Sequence, residues 1–177
     1  EGEFDMISCF REGIENSVAI KGSAVTKEQL ILISRLCKHI ILALDSDFSG
    51  SETIKRAIKD AQSLDFKIEV AVSKNGKDPD EALKKEPGVF KKAVKEDLGI
   101  YDFLLNKLVA GSNIETAEGK KEVAAEFLTY ISLIKNEIVK EHYLRKLSTE
   151  LNTSYESILR QIEKIGKKDI HIVQSLV

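Results

Sequence analysis

Two aspartates separated by one residue, Asp45 and Asp47, follow directly on a short aliphatic run, in the string Asp45-Ser46-Asp47-Phe48-Ser49-Gly50. Residues at i and i+2 of an extended segment face the same way, so the two carboxylates can be presented together. In an open parallel sheet, ligands bind beyond the carboxyl ends of the strands, where this string begins. Neighbouring carboxylates repel unless a cation neutralises them, and hard oxygen ligands suit Mg2+, the usual ion where phosphates are handled. The plain alternative is a solvated turn in which an acidic side chain caps the next helix. A second acidic string, Gly76-Lys77-Asp78-Pro79-Asp80-Glu81, also follows an alternating apolar run. Asp78 as N-cap, Pro79 at the first helical position and Glu81 at the third would explain it as a helix start alone. Its place after a strand would equally bring Asp78 and Asp80 to the crevice of Asp45 and Asp47. Glu1 and Asp5 make a third acidic pair at the start of the chain.

Three other chemistries use similar strings. An EF-hand loop matches at Asp45, Asp47, Ser49 and Gly50, but its closing bidentate glutamate would have to be Arg56, which excludes it. A haloacid-dehalogenase-type phosphatase also places Asp-x-Asp after a hydrophobic strand, usually with Thr or Val where Ser49 stands, and remains the main enzymatic rival. A response-regulator receiver would need Glu1, Glu3 and Lys74 around a single phosphoacceptor, at poor spacing. Lys55, Arg56 and Lys59 could meet phosphates but read first as a solvated helix face. His39, His142 and His171 have no ligand partners at metal spacing, and Cys9 and Cys37 fall in apolar helical patterns expected to be core.

The elements that must carry these residues alternate. His39 to Leu44 is continuous and aliphatic, as expected of a strand buried on both faces of a parallel sheet. Phe66, Ile68, Val70 and Val72 alternate with Lys67, Glu69 and Ala71, a period of two, and Ser17 to Ile20 is a weaker strand candidate. A helix opens at Thr26 with Gln29 three places on and carries Leu30, Ile33, Leu36 and Cys37 on one side. Another opens at Ser49 with Glu52 and repeats Ile54, Ala57, Ile58, Ala61 and Leu64. Strands and helices in this order predict βαβ units. From about Ile100 onward apolar residues recur only at helical spacing: Phe103, Leu104 and Leu108, then Val123, Phe127, Leu128 and Ile131, then Leu144, Leu147 and Leu151. Asn152 stands where a left-handed helix terminator belongs, and a last helix presents Ile158, Ile162 and Ile165 and is expected to stop near Gly166. The expected organisation is an α/β domain over 1–97 and a helical subdomain over 98–177.

Composition sets the outer limits. With 27 basic and 29 acidic residues the net charge is -2, so a nucleic-acid partner would be met through a local patch or through metal ions. The apolar run Ile40 to Leu44 is bounded by His39 and Asp45, far short of the ~20 residues of a membrane span. Two cysteines make a poor disulfide framework, which points to a reducing cytoplasm. The start at Glu1, without Met or an apolar leader, reads as a piece of a longer protein.

Taken in order, Glu1-Gly2-x-x-Asp5, Asp45-x-Asp47-x-Ser49-Gly50 and Gly76-Lys77-Asp78-Pro79-Asp80-Glu81 resemble the Toprim domain of bacterial DnaG-type DNA primases. Val18 to Thr26, Glu118-Gly119-Lys120 and Tyr143-Leu144-Arg145-Lys146-Leu147 are similar to further segments of the same proteins, out to about residue 164. The resemblance implies a Toprim-type, parallel-rich sheet flanked by helices and followed by an all-α bundle. It implies Mg2+ (or Mn2+) held by Glu1, Asp45, Asp47, Asp78 and Asp80, with Glu1, Asp45 and Asp47 catalytic and Asp5 a further acidic residue. It also implies RNA primer synthesis from nucleoside triphosphates on a single-stranded DNA template at the replication fork, in the cytoplasm and away from membranes. Nucleases and topoisomerase-like enzymes with the same acidic crevice, the phosphatase, and a non-catalytic interaction module stay open as alternatives.

Some features depart from the family pattern. Ser46 and Ser49 stand where the family usually has Gly and Ala, both small. The strand that precedes Glu-Gly in the family, the zinc-binding domain and the amino-terminal part of the polymerase core are expected to lie outside this chain, as is the segment that binds the replicative helicase. A metal site with little polymerisation is the expected behaviour of such a piece.

Overall fold

The computed structural model of the protein describes residues 2–20, 25–44, 52–72, 76–96 and 98–174. The chain divides into two compact units, Glu1–Ile100 and Tyr101–Val177. In the first, helices α1 (Glu3–Arg11) and α2 (Lys27–Ile33) precede strand β1 (His39–Leu44), and α3 (Glu52–Ser63) crosses over to β2 (Lys67–Val72). Helices α4 (Pro79–Lys85) and α5 (Pro87–Lys95) then lead to the two-residue strand β3 (Leu98–Gly99). The sheet order is β1-β2-β3. β1 and β2 are parallel, with His39 opposite Lys67 and Leu44 opposite Val72, while β3 is antiparallel to β2, Glu69 lying opposite Gly99. A parallel pair needs a crossover of a dozen or so residues, which α3 supplies.

The core of this unit is built by strand alternation and helix periodicity together. Ile58 and Ala61 of α3, three residues apart, are buried, as are Leu30 of α2 and Phe66. Cys9 of α1, Ala82 and Leu83 of α4 and Phe90 of α5 form a second cluster, with Ile14, Ala43 and Val94 against it. Thr26 and Gln29 exchange the two hydrogen bonds of a capping box, at 3.3 and 2.8 Å, as the sequence predicts.

Four expectations for the first unit need correction. β2 is buried from Ile68 through Ala71, so Glu69, expected on a polar face, is only 7% exposed. Its charge is met by Lys67 Nζ at 2.5 Å and by His39 Nε2, the residues that open the two parallel strands. Conversely Ile40 to Ala43 of β1 are only half-buried, because in the sheet of described residues β1 has a neighbour on one side alone. Ser17–Ile20 forms no strand: this stretch pairs with none of the three strands, and without a ladder of hydrogen bonds it is not a sheet member. Leu36, 90% exposed, and Cys37 leave the core because α2 ends at Ile33 in a turn, which breaks the helical phase that would have turned them inward.

The second unit is helical: α6 (Ile100–Gly111), α7 (Ala117–Ile131), α8 (Glu137–Glu150) and α9 (Tyr155–Gln174). α7, α8 and α9 pack pairwise around Val123, Phe127, Leu128, Leu144, Leu147 and Ile158, the residues that recur at helical spacing. Burying each such side chain is worth about 1.5–3 kcal/mol. Thr116 caps α7 by accepting the Gly119 N–H at 3.1 Å, and a Cβ on Gly119 would fall 2.0 Å from the Asn113 carbonyl oxygen, so the residue there must be glycine. α9 runs through Gly166 to Gln174, past its expected end: one interior glycine costs only about 1 kcal/mol against Ala.

Asn152 ends α8 with φ 44°, as its position predicts. Thr153 N–H donates to Ser148 O and Asn152 N–H to Thr149 O, both at 3.0 Å, which is the paired pattern of a Schellman stop. A left-handed conformation costs an ordinary L-residue roughly 1–2 kcal/mol. Asn152→Ala is therefore expected to lower the stability of the helical unit by about 1 kcal/mol and Asn152→Gly to preserve it, as read by urea unfolding monitored by circular dichroism.

Candidate functional site

The site is set by where the backbone leaves the sheet. β1 ends at Leu44 and β2 at Val72, and these two residues are register partners in a parallel pair. The chain therefore departs from one edge of the sheet twice, from strands about 4.8 Å apart: toward Asp45 and Asp47 in one case, and toward Asp78 and Asp80 in the other. That edge is the carboxyl edge, where open parallel sheets bind ligands. Glu1, Asp45 and Asp47 themselves lie outside the described residues.

Asp78 caps α4, accepting the Glu81 N–H on Oδ1 at 2.7 Å, and Pro79 fills the first helical position without a donor to lose. Lys77 N–H returns to Glu81 Oε2 at 2.7 Å and Lys85 Nζ reaches Glu81 Oε1 at 2.5 Å. The Lys85 ammonium and next the Lys77 N–H hold the Glu81 carboxyl below its ordinary range. The capping role read from the sequence is thus present in full.

Asp5 and Asp80 are brought together. Asp5 lies in the first turn of α1, where Oδ2 accepts Gly2 N–H at 2.9 Å, and its Oδ1 accepts the backbone N–H of Asp80 at 3.1 Å. Asp80 Oδ1 accepts the hydroxyl of Ser8, and Oδ2 pairs with Lys84 Nζ at 2.6 Å. Lys84, and after it Ser8, depress the Asp80 pKa. Beneath these polar contacts, Cys9 packs against Ala82 and Leu83. α1 and α4 are consequently joined by an apolar seam with a polar clasp over it, in which Asp5 meets Asp80.

Lys84 and Ser8 were absent from the residues singled out by sequence. Lys84 was legible, standing four residues after Asp80 on one helix face. Ser8 had no local signal, being 72 residues from its partner.

The donor chemistry suits a hard divalent cation, since every member of the set is a carboxylate. Among the described residues alone, no three His, Cys, Asp or Glu side chains stand close enough to hold a metal ion. Among the described residues no helix is long and apolar enough to cross a membrane.

Comparison with known proteins agrees with this architecture. Residues 1–83 match the Toprim-like family model, and residues 101–154 match the model of the DnaB-helicase binding domain of primase. The second match runs against the expectation that the helicase-binding segment lies outside this chain. The DNA primase of Halalkalibacterium halodurans is 28% identical over 170 residues, which are 95% of this chain and 28% of that protein. The chain thus spans under a third of the length of this curated relative. A DNA primase domain from Pseudomonas aeruginosa superposes with TM-score 0.72 at 23% identity, covering 92% of this chain and 52% of the other. A DnaG primase catalytic domain bound to ssDNA superposes with TM-score 0.70 at 22% identity, covering 89% and 51%. A parallel strand pair, a Toprim-like match followed by a primase match, and relatives along nearly the whole chain lead to one conclusion: this chain is related to bacterial DNA primases, resembling them in a Toprim-like part over residues 1–83 and in the primase helicase-binding domain over residues 101–154.

Proposed function

We propose that the chain is the metal-binding part of a primase catalytic core and takes part in template-directed synthesis of RNA primers. The observation that carries this reading is the in-register parallel end of β1 and β2 at Leu44 and Val72, which sends two acidic segments off one sheet edge. Residues 1–97 would carry the chemistry and 98–177 the helical part. Glu1, Asp45, Asp47, Asp78 and Asp80 would hold Mg2+ or Mn2+, with Glu1, Asp45 and Asp47 nearest the reacting groups. Held by these carboxylates, a divalent ion would supply positive charge for nucleotide phosphates and would favour ionisation of an attacking 3′-hydroxyl. The protein's own contribution is to keep carboxylates of like charge together at the strand ends and to orient them from α1 and α4. Nucleoside triphosphates, single-stranded DNA and the growing RNA primer are the partners this chemistry requires. The match of residues 101–154 supports contact with the replicative helicase, and the working place is the cytoplasm at the replication fork.

The test is a titration of the full chain with Mn2+, followed by paramagnetic broadening of amide resonances. Saturable binding at or below millimolar concentration, with broadening centred on residues 76–80, is expected. No binding at that concentration contradicts the metal reading. Trapping of an aspartyl-phosphate on Asp45 would instead favour phosphatase chemistry.

A further inference from the structure

Asp80 is held at three points, and two of them come from α1. Its backbone N–H donates to Asp5, its Oδ1 accepts from Ser8 and its Oδ2 pairs with Lys84. Asp5 and Ser8 are three residues apart and so lie on one face of α1. That face meets α4 over the Cys9, Ala82 and Leu83 contacts. The Asp80 side chain is 23% exposed and Lys84 is 70% exposed, so the lysine is the loose member of the set and Ser8, half-buried beside Cys9, the fixed one.

A carboxylate on the first turn of a short helix has several rotamers open to it, and a cation site needs one of them. Outer partners that orient a metal's ligands are worth roughly 10–100-fold in affinity. Resting on the metal reading above, we infer that Ser8 is a positioning residue for the divalent-ion site. Its hydroxyl selects the orientation of the Asp80 carboxylate, while Asp5 fixes the backbone from which that side chain projects. The amino-terminal helix thereby governs ion affinity through a residue that carries no charge of its own.

The experiment is a double-mutant cycle on the full chain, read by Mn2+ affinity and thermal unfolding rather than by synthesis. Ser8→Ala suits the helix, since alanine has the highest helix propensity. Expected is about a tenfold weaker Mn2+ affinity in Ser8→Ala, with recovery in Ser8→Thr, which restores the hydroxyl. Ser8→Cys, of similar size with a poor donor, is expected to behave as Ser8→Ala and serves where the alanine variant is unstable. On an Asp80→Ala background the same substitution should change affinity by less than about twofold, because the carboxylate that Ser8 orients is already gone. Equal weakening on both backgrounds would show a general structural effect and overturn the positioning role, as would unchanged affinity in Ser8→Ala and Ser8→Cys. Failure of the wild-type chain to bind Mn2+ is a separate outcome that overturns the metal reading and, with it, this inference.

Discussion

Replacing Asp45 and Asp47 together by asparagine is expected to abolish Mn2+ binding while leaving the fold in place. Asparagine keeps the volume of aspartate and its capacity to cap a helix, so the local backbone has no reason to change. What disappears is two negative charges and the hard anionic oxygens that a divalent ion requires. The loss should exceed the roughly 100-fold that removal of an orienting outer partner can cause, since here the ligands themselves are removed. The unfolding midpoint should hold or rise, because relieving repulsion between neighbouring carboxylates favours the folded chain in the absence of the ion. Isothermal titration with Mn2+ and a thermal scan of the same variant check both parts. Affinity unchanged from the wild type would assign Asp45 and Asp47 to capping alone.

The second large effect belongs to Gly76. A Cβ there would stand 2.4 Å from the backbone nitrogen of Ala82 and 2.7 Å from its Cα, so the obstacle is the α4 backbone itself and not a side chain that could rotate away. Gly76→Ala must push α4 off the segment that follows β2, and overpacking of this kind costs about 1–3 kcal/mol; the backbone location puts the expected loss at the upper end, about 3 kcal/mol. The displacement would also move Asp78 and Asp80, so Mn2+ affinity should fall in parallel. Gly88 is the matched control: a Cβ there meets nothing within 4 Å, and it lies in the first turn of α5. Gly88→Ala should be neutral or stabilise by up to about 1 kcal/mol. Denaturant unfolding of the two variants side by side separates the close approach from the general effect of losing a glycine. Equal stability of the two would mean that α4 does not pack as closely as the structure has it.

What could be read from the sequence was local. β1 announces itself as a short continuous aliphatic run, and α3, α7 and α8 because a period of 3.6 is written within a dozen residues. The caps at Thr26 and Asp78, and the stop at Asn152, rest on hydrogen bonds to backbone a few positions away. The acidic strings and their spacing are local signals of the same class. The tertiary structure decided the rest. Glu69 reads as a solvent-facing residue of an alternating strand, yet it is buried, where His39 Nε2 at the head of the neighbouring strand and Lys67 Nζ reach its carboxylate. Leu36 reads as core and is exposed, because α2 stops three residues earlier. Leu98 and Gly99 carry too short a pattern to announce a strand and become one only by pairing with Glu69 and Val70. Ser8 is an unremarkable helix residue until α1 is laid against α4. Periodicity and capping are properties of a few adjacent residues and are determined by sequence alone. The contacts of Ser8 with Asp80, and of Glu69 with His39, exist only after the loops between them have closed, and no local pattern records which distant partner a side chain will meet.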